Sequence, residues 1–371
     1  MKKTKFAALA LMLFSIVGVT SCGATTAEYA LVTDVGDIDD QSFNQSCWEA
    51  TKDFAKANSK TNAYYRPVND STEDRVASIE QAIQKGAKVI VCPGFLFEEA
   101  VYNVQDKYPE VKFVLIDGAP HTADYATYKT AKNTVSIVYQ EEISGFLAGF
   151  AAVKDGKTKL GFCGGMAVPA VQRFGTGFVQ GANAAAVEMG IASNVSLKYY
   201  YAGAFAATDA ATALMKSWYT AGTECVFACG GKVYQSVVEG LKGSTGKTWI
   251  GVDVDQAKSV TDPAPLTSAT KGLKESVTSA LEVYMNEQWA DIGGKDYNLG
   301  LNTVFGKLAA KDYVGLPTDN SSWNFTSFTK DQYNALLSGI KNGTYTVSGS
   351  TTAAPEVSIT VDYVSSFTNA N

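Results

Sequence analysis

Short apolar runs alternate with amphipathic segments along the chain from residue 28 onward. The apolar runs predict strands, and they are EYALVTD, AKVIVCPG, VKFVLIDG, KTKLGFCGG, SLKYYYAG, ECVFACGG and KTWIGVDVD. The segments between them, such as SFNQSCWEATKDFAKAN and STEDRVASIEQAIQKG, place apolar residues three and four positions apart, which is typical of a helix that buries one face. Strands that alternate with helices of this length predict a parallel sheet covered on both faces.

The last third of the chain has a less regular pattern. Residues 268–292 have the spacing of one long helix, and residues 301–316 are typical of an extended hairpin. TKDQYNALLSGIKNG predicts a final helix, and VSITVDYV predicts a terminal strand.

The amino terminus has the pattern of a bacterial lipoprotein signal. A basic start and an apolar run over residues 6–19 precede the lipobox VTSC, which ends at Cys22. The apolar run is short for a membrane span. We therefore predict a signal peptide over residues 1–21, lipidation of Cys22 and a tether over residues 22–27, which place the protein on the extracytoplasmic face of the cell membrane. An ordinary signal peptide with an incidental cysteine is the alternative.

Length and charge limit the architecture and the partners. The chain has 371 residues, more than the roughly 250–300 at which single hydrophobic cores stop growing. We predict two α/β lobes, the first formed by residues 28–138 and 253–305, and the second by residues 139–252 and 306–371. The net charge of −6 gives no electrostatic reason to bind nucleic acid.

Few side chains suit catalysis or metal binding. Cys225 and Cys229 are not spaced as a zinc pair, and the other cysteines outside the signal lie apart. Apolar surroundings predict buried thiols. The single histidine, His121, lies in the polar stretch HTAD and is predicted at the surface. GLKGSTGKT resembles a phosphate loop but precedes a strand. We therefore predict no catalytic residues, no metal and no cofactor.

Polar residues and glycines collect after the predicted strands in both halves of the chain. Asp34 and Asp117 follow strands of the first half, while Gly230, Gly231 and Asp253 follow strands of the second. Ligands bind outside the carboxyl ends of the strands in open α/β sheets. We therefore expect these residues to line a cleft between two lobes.

The acidic stretch DVGDIDD, residues 34–40, is compatible with a metal site, a catalytic cluster or the mouth of a binding crevice. It is similar to the DxDxGxDD calcium loop of nucleoside hydrolases. However, Val32 stands where the first aspartate is needed, and an extra residue follows Gly36. Calcium needs six or more oxygen ligands. The other interpretation is a turn before a helix, whose carboxylates cap backbone N–H groups.

Several motifs together resemble the basic membrane protein family of lipoproteins. They are DVGDIDDQSFNQSCWEA, GFLAGF, GFCGGMAVPAVQRFGTGF, YYYAGAF, CGGKVYQSV, WIGVDVDQ and LTSATKGL, which cover nearly all of residues 28–305. The best-understood members are purine nucleoside receptor A proteins, the binding components of ABC nucleoside importers. The resemblance implies a type I periplasmic-binding-protein fold, in which two doubly wound lobes joined by three crossovers close on a ligand in the central cleft.

The resemblance also implies how a purine base would be held. It places the base between Phe43 and Phe205, where stacking adds about 0.5–1.5 kcal/mol beyond the burial of area. Asn44 and Asp117 would contact polar edges of the base, since an amide offers a donor and an acceptor together. Core packing of either phenylalanine is the alternative. The family pattern differs here at Ala167 and Val168, which leaves the base preference open.

For the sugar, the resemblance implies that Asp253 and Lys271 hold the ribose hydroxyls. Gly230 and Gly231 would let the backbone approach the ligand, and Asp34 would support the site. A plain turn at the end of a strand is the alternative for Asp253.

The sequence therefore indicates a monomeric, lipid-anchored protein that performs no chemistry. It would capture a nucleoside, which the resemblance implies is a purine nucleoside, and deliver it to an ABC permease and ATPase on separate chains. A type I binding protein for a sugar or autoinducer is the alternative within this class. A secreted nucleoside hydrolase or a surface antigen without a transport role are alternatives from other classes.

Overall fold

The structure, a computed structural model, describes residues 26–34 and 36–368, and the predicted signal peptide and Cys22 lie outside this part. Its strands are β1 (Tyr29–Val32), β2 (Asn62–Tyr65), β3 (Val89–Pro93), β4 (Lys112–Ile116), β5 (Thr134–Tyr139), β6 (Lys159–Gly164), β7 (Ser196–Tyr201), β8 (Cys225–Cys229), β9 (Thr248–Asp253), β10 (Thr267–Lys271), β11 (Lys295–Leu299), β12 (Val314–Gly315) and β13 (Thr360–Tyr363). Its helices are α1 (Phe43–Ala57), α2 (Thr72–Gln84), α3 (Glu98–Gln105), α4 (Glu141–Lys154), α5 (Pro169–Glu188), α6 (Asp209–Thr220), α7 (Val233–Leu241), α8 (Leu273–Met285) and α9 (Lys330–Lys341). The alternation of the two confirms the α/β class.

The strands form two sheets, one in each lobe. The first has the order β11-β5-β4-β3-β1-β2, and its neighbouring strands are parallel. The second has the order β12-β10-β9-β8-β6-β7-β13, with β12 antiparallel to β10. The strand order reverses beside β1 in the first sheet and beside β6 in the second. Crevices for ligands form at such switch points, outside the carboxyl ends of the strands.

The chain crosses between the lobes after β5, after β10 and after β11. These crossovers are joined to one another by backbone hydrogen bonds. The backbone N–H of Gln140 donates to the carbonyl of Leu299 at 3.0 Å, that of Gly272 to Tyr313 at 2.6 Å, and that of Tyr313 to Gly300 at 2.8 Å. The three connections therefore lie side by side between the lobes, as the predicted type I fold requires.

The predicted lobe boundary near residue 253 is wrong. Residues 267–271 form β10, which pairs with β9 in the second sheet, and the first lobe resumes only at Leu273, where α8 packs against α1. The helix predicted over residues 268–292 thus contains a strand. Ser268 lies in this strand, and its Oγ accepts from the N–H of Gln256, in the turn that follows β9, at 3.1 Å.

The hairpin predicted over residues 301–316 is also reduced in extent. It consists of the isolated antiparallel pair Thr303 and Lys311 together with the two-residue strand β12. By contrast, α2 begins as predicted, since the Ser71 side chain accepts from the N–H of Asp74.

Helices α4 and α5 pack with their backbones in contact. A Cβ at any of four glycines would collide with the backbone of the facing helix, and these are Gly145, Gly149, Gly177 and Gly181. The close approach brings Glu141 at the start of α4 against Arg173 of α5, with 2.6 Å between Oε2 and Nε. This ion pair lies beside the cleft and supports the site described below.

The cysteines and the histidine test two further predictions. The five cysteines in the described part are free and buried, which confirms the prediction of core thiols. His121 is buried, so its prediction as a surface residue is wrong. Its Nε2 lies 3.0 Å from Glu98 Oε2, and its ring stacks on Tyr125. No helix among the described residues is long and apolar enough to span a bilayer.

Candidate functional site

A cavity of about 390 Å³ lies between the lobes at the carboxyl ends of the strands. All nine predicted ligand-binding residues line it: Asp34, Phe43, Asn44, Asp117, Phe205, Gly230, Gly231, Asp253 and Lys271. The structure thus brings together residues that are more than 200 positions apart in the chain. Loops after β1 and β4 and the first turn of α1 form one side, and the ends of β8, β9 and β10 form the other.

The acidic stretch builds the amino-terminal end of α1. Asp40 is buried, and its carboxylate accepts from the N–H groups of Ser42, Asn44 and Gln45 at 2.9 to 3.1 Å. Burial raises the pKa of Asp40 to about 6, although these three hydrogen bonds oppose the shift. This observation supports the interpretation of Asp40 as a cap for a helix.

The side chains of Asp34 and Asn44, which both line the cavity, form a hydrogen bond with each other. Asp34 Oδ1 accepts from Asn44 Nδ2 at 2.8 Å and from the N–H of Gly36 at 2.6 Å. Asn44 Nδ2 also lies 3.4 Å from Asp40 Oδ2. Within the described residues, Asn44 Oδ1 is buried without a hydrogen-bond partner. Burial raises the pKa of Asp34.

Lys271 is the centre of a buried charge cluster where the lobes meet. Its Nζ contacts the carboxylate of Asp117, and it lies 3.4 Å from Glu141 Oε1 and 3.6 Å from Asp253 Oδ1. Burial lowers the pKa of Lys271, but the three carboxylates outweigh this effect and hold the pKa above its ordinary value. The ammonium N–H groups are directed at protein carboxylates, whereas the sequence predicted that they point at a ligand.

Asp117 and Asp253 occupy equivalent places, at the carboxyl ends of β4 and β9. Both have a left-handed backbone, with φ of 63° and 66°, which aspartate tolerates better than most residues. Asp253 Oδ2 accepts from Ser42 Oγ across the cleft at 2.5 Å. Asp117 Oδ1 is buried and has no partner in the described part. Burial raises the pKa of Asp117 to about 7, against the opposing effect of Lys271.

Phe205 packs against three glycines, Gly165, Gly230 and Gly231. A Cβ at Gly165 would approach its ring to 2.6 Å, and one at Gly230 to 3.0 Å. Gly231 has a φ of +50°, and a Cβ there would come within 2.7 Å of the Phe205 carbonyl. The role expected of Gly230 and Gly231 was contact with a ligand, and here both glycines line the cavity and also make room for the ring.

Phe43 lies on the opposite lobe, at the first position of α1. Its ring centroid is 4.7 Å from Lys271 Nζ, within the range of a cation–π contact. Phe43 and Phe205 are each only partly buried, although both pack against the core. Each lobe therefore contributes one of the two rings predicted to stack on a base.

Sequence reasoning missed most of the apolar wall. The cavity is also lined by Phe95, Leu96, Met166, Val168, Ala170, Val171 and Phe174. Most of them follow β3 or β6, so their position after predicted strands was the available indication. Val168 is one of the residues at which the sequence departs from the family pattern, and it adds to the apolar character of this wall.

Lys232 connects the acidic stretch to the second lobe. Its Nζ lies 2.9 Å from Asp37 Oδ2 and 2.8 Å from Asp39 Oδ1. The Tyr234 hydroxyl donates to Gln41 Oε1 beside it, at 2.9 Å. Asp39 thus pairs with Lys232, whereas Asp34 and Asp40 both contact the Asn44 amide. The described residues contain no group of three or more His, Cys, Asp or Glu side chains suited to a metal.

Comparison with known proteins identifies the family. The model of the Bmp family, described as ABC transporter substrate-binding protein PnrA-like, matches residues 27–346. The nucleoside-binding protein BmpA of Lactococcus lactis is 30% identical over 277 residues, which cover 69% of this chain and 75% of that protein. Basic membrane protein A1 of Borrelia garinii is 28% identical and covers 79% of this chain and 84% of its own.

A solved structure of an ABC transporter protein has a similar fold. A solute-binding protein of an ABC transporter from Aeropyrum pernix K1 superposes with a TM-score of 0.66 at 20% identity, covering 85% of each chain. The two-lobed architecture, the cleft at the strand ends and the match over most of the chain have one explanation. This protein belongs to the Bmp family of PnrA-like ABC transporter substrate-binding proteins.

Proposed function

We propose that this protein captures nucleosides, chiefly purine nucleosides, and delivers them to an ABC importer whose permease and ATPase are separate chains. A lipid on Cys22 would hold it at the extracytoplasmic face of the membrane. The observation that carries the proposal is the pairing of two partly buried rings, Phe43 and Phe205, with buried acceptor oxygens that lack partners among the described residues.

The acceptors form two groups that suit the two parts of a nucleoside. Asp117 and Asp253 share Lys271, and their oxygens can accept from hydroxyl groups. Asp34 and Asn44 form the second group. We assign the first group to the ribose and the second to the base. This differs from the base contact that the resemblance implies for Asp117, because Asp117 shares Lys271 with Asp253. Lys271 is then a positioning residue that holds both ribose carboxylates in place.

The same cavity argues against an anionic ligand. Six aspartates line it, and they are Asp34, Asp37, Asp40, Asp70, Asp117 and Asp253. A phosphate group would meet these carboxylates, and the two lysines that line the cavity, Lys232 and Lys271, already pair with carboxylates of the protein. A nucleoside is neutral and rich in donors, and it fits this surface better than a nucleotide does.

A sugar is the second candidate, because acceptor oxygens and stacking rings also suit a pyranose. The relative from Lactococcus lactis, which is named as nucleoside-binding, favours the nucleoside. The apolar wall with Phe95, Met166 and Phe174 also favours a ligand with one large apolar part.

Calorimetric titration of the chain from Gly23 onward distinguishes these ligands. We expect adenosine, guanosine and inosine to bind with one site per chain, and ribose, galactose and nucleoside monophosphates to give no heat. Binding of a sugar alone would overturn the proposal. Chromatography of the same samples tests for free base, whose release would identify a nucleoside hydrolase instead.

Asp253→Asn is expected to weaken adenosine binding about 10- to 100-fold, since a hydrogen bond to a charged group contributes about 1.5–3 kcal/mol. Asparagine also tolerates the left-handed backbone at this position. Titration with adenosine and with adenine measures the effect. Because adenine lacks the ribose, Asp253→Asn should bind it nearly as tightly as the parent protein does. Equal losses for the two ligands would show that Asp253 does not hold the ribose.

Lys232→Met is expected to increase the dissociation rate of a bound nucleoside about fivefold at low salt. The variant removes the ion pairs of Lys232 with Asp37 and Asp39, which join the lobes. Such partly exposed pairs contribute about 1 kcal/mol or less. Stopped-flow competition at increasing salt measures the rate, and the difference from the parent should shrink as salt screens the pairs.

Lys258→Met is the matched control for this measurement. Lys258 also pairs with two carboxylates, those of Asp255 and Asp319, but these pairs lie within one lobe. A bound nucleoside should dissociate from Lys258→Met at the same rate as from the parent protein. Equal rates for Lys232→Met and the parent would mean that the cross-lobe pairs do not retain the ligand.

A further inference from the structure

The backbone that follows Asp117 is held by Glu98, which is not among the residues that line the cavity. Asp117 has a left-handed backbone, and the chain continues through Gly118 and Ala119. Glu98 Oε1 accepts from the N–H of Ala119 at 2.8 Å, and a Cβ at Gly118 would lie 2.6 Å from Glu98 Cγ. Glu98, at the start of α3, therefore sets the path of the backbone directly after a residue of the cavity wall.

His121 contacts the other oxygen of Glu98. Its Nε2 lies 3.0 Å from Glu98 Oε2, and its Nδ1 lies 2.7 Å from the carbonyl oxygen of Thr122. The imidazole is buried, and the rings of Tyr125 and Tyr128 pack on it with centroid distances of 4.1 and 5.1 Å. These residues belong to a hairpin over residues 119–129, in which His121 pairs with Tyr128. Glu98 thus joins the hairpin to α3.

Both ring nitrogens of His121 face oxygen atoms that accept hydrogen bonds. A carbonyl oxygen cannot donate, so Nδ1 must carry a proton to bond Thr122. A second proton is then needed between Nε2 and Glu98 Oε2, on the ring or on the carboxyl group. A neutral ring has only one N–H, and beside an ionised carboxylate it would turn a lone pair toward one of the two oxygens. The geometry therefore requires the pair to hold one proton beyond those of a neutral histidine and an ionised glutamate.

Burial favours a protonated Glu98. It raises the pKa of Glu98, although the hydrogen bonds that the carboxylate accepts and the charge of Arg173 in the second lobe oppose the shift. Asp124 is engaged within the hairpin, where it accepts from the Thr122 hydroxyl at 2.6 Å. The other titratable groups that face the pair are the phenols of Tyr125 and Tyr128. The shared proton is therefore held by Glu98 and His121 themselves.

We propose that Glu98 and His121 are positioning residues for Asp117, and that the proton they share couples nucleoside binding to pH. The inference rests on the proposed nucleoside function and adds the regulation of the same site. While the pair holds its proton, the ring fixes Glu98 and Glu98 fixes the Ala119 N–H. As the pH rises and the proton is lost, one contact becomes repulsive and Asp117 loses part of its support. This effect lowers the affinity as the pH rises.

Glu98→Gln separates the proton from the hydrogen bonds. Its amide oxygen can accept from Ala119 and its NH₂ can donate to a neutral His121 ring, so no extra proton is needed. Between about pH 5.5 and 8.5 we expect the adenosine affinity of the parent to fall about fivefold relative to that of Glu98→Gln. Calorimetric titration measures both profiles. Ionisation of Asp117 affects both proteins alike, so the difference between the profiles reports the pair.

Glu98→Ala removes the support for the backbone after Asp117. We expect adenosine to bind about tenfold more weakly at both pH values. In the ligand-free protein, hydrogen exchange of the Ala119 amide should be at least about fivefold faster than in the parent or in Glu98→Gln. Mass spectrometry of peptides that cover residues 118–122, at one pH, measures the exchange. A thermal melt confirms that each variant folds.

Glu99→Gln is the matched control. Glu99 is the next residue of α3 and is also partly buried, but its carboxylate accepts from the Thr72 hydroxyl at 2.9 Å. Its substitution should leave the pH profile and the exchange of the Ala119 amide as they are in the parent. A change as large as that in the Glu98 variants would show a general loosening of α3 and overturn the assignment to Glu98.

The single histidine of the chain allows the coupling to be observed directly. His121 is the only histidine, so the histidine ring-proton NMR signals of the untagged chain report this group alone. Coupling between two binding events is reciprocal. The signals should therefore titrate at a higher pH with adenosine bound than without it. Identical titration curves would overturn the coupling.

The outcomes separate this inference from the function on which it rests. If hydrogen exchange near Ala119 is the same in the parent, Glu98→Gln and Glu98→Ala, the positioning role is overturned, whichever ligand binds. If exchange differs as expected but no nucleoside binds, the proposed function is overturned and the positioning role stands. If nucleosides bind and the pH profiles of the parent and Glu98→Gln coincide, the role of the shared proton is overturned while the function stands.

Discussion

Lys271→Met is expected to lower the free energy of unfolding by about 3–5 kcal/mol, the usual cost of removing one partner from a buried ion pair. The variant leaves Asp117, Glu141 and Asp253 buried without the cation that they share. Glu141 retains Arg173, but the other two carboxylates lose their nearest positive charge. Urea denaturation at pH 8, followed by circular dichroism, measures the loss.

The same loss should be smaller at pH 5. Burial raises the pKa of Asp117 to about 7, so its folded form takes up a proton that the unfolded form does not between about pH 4 and 7. Its contribution to stability therefore falls as the pH rises through this window. Without Lys271 the uncompensated carboxylates favour protonation further, and acid relieves their repulsion.

Lys274→Met provides the control. Lys274 is three positions away and pairs with Asp53 at 3.5 Å, but both side chains are about half exposed. Its removal should change the free energy of unfolding by about 0.5 kcal/mol or less. A similarly small change for Lys271→Met at pH 8 would show that the buried carboxylates are not ionised in the folded protein.

Phe205→Ala is expected to weaken nucleoside binding at least 30-fold, which corresponds to about 2 kcal/mol. The ring packs over Gly165 and Gly230, and its removal exposes both glycines. The base also loses one of its two stacking surfaces. The residue lies on a loop and is only partly buried, so folding should be little affected. Titration with guanosine and a thermal melt give the two quantities.

Phe325→Ala is the matched control for the aromatic ring. Phe325 is also partly buried but packs against Trp323 and Phe328, outside the residues that line the cavity. Its substitution should leave the affinity unchanged. An undiminished affinity in Phe205→Ala would place this ring outside the ligand site and leave Phe43 as the stacking surface.

Local patterns in the sequence were enough to predict the class of fold and the position of the cleft. The alternation of apolar runs with amphipathic segments depends on neighbouring residues only, and parallel strands require buried faces. The carboxyl ends of those strands mark the crevice in any doubly wound sheet. Asp34, Asp117 and Asp253 were therefore predicted at the cleft without knowledge of their partners.

The tertiary structure alone decided which atoms remain available to a ligand. Whether Lys271 donates to a sugar or to Asp117 depends on residues 154 positions apart, and no local periodicity encodes that distance. The strand β10 was missed because its pairing with β9 and the hydrogen bond from Gln256 to Ser268 form only in the folded chain. Sequence determined which chemical groups reach the cleft, and long-range packing determined how they are paired, because hydrogen bonds form between neighbours in space.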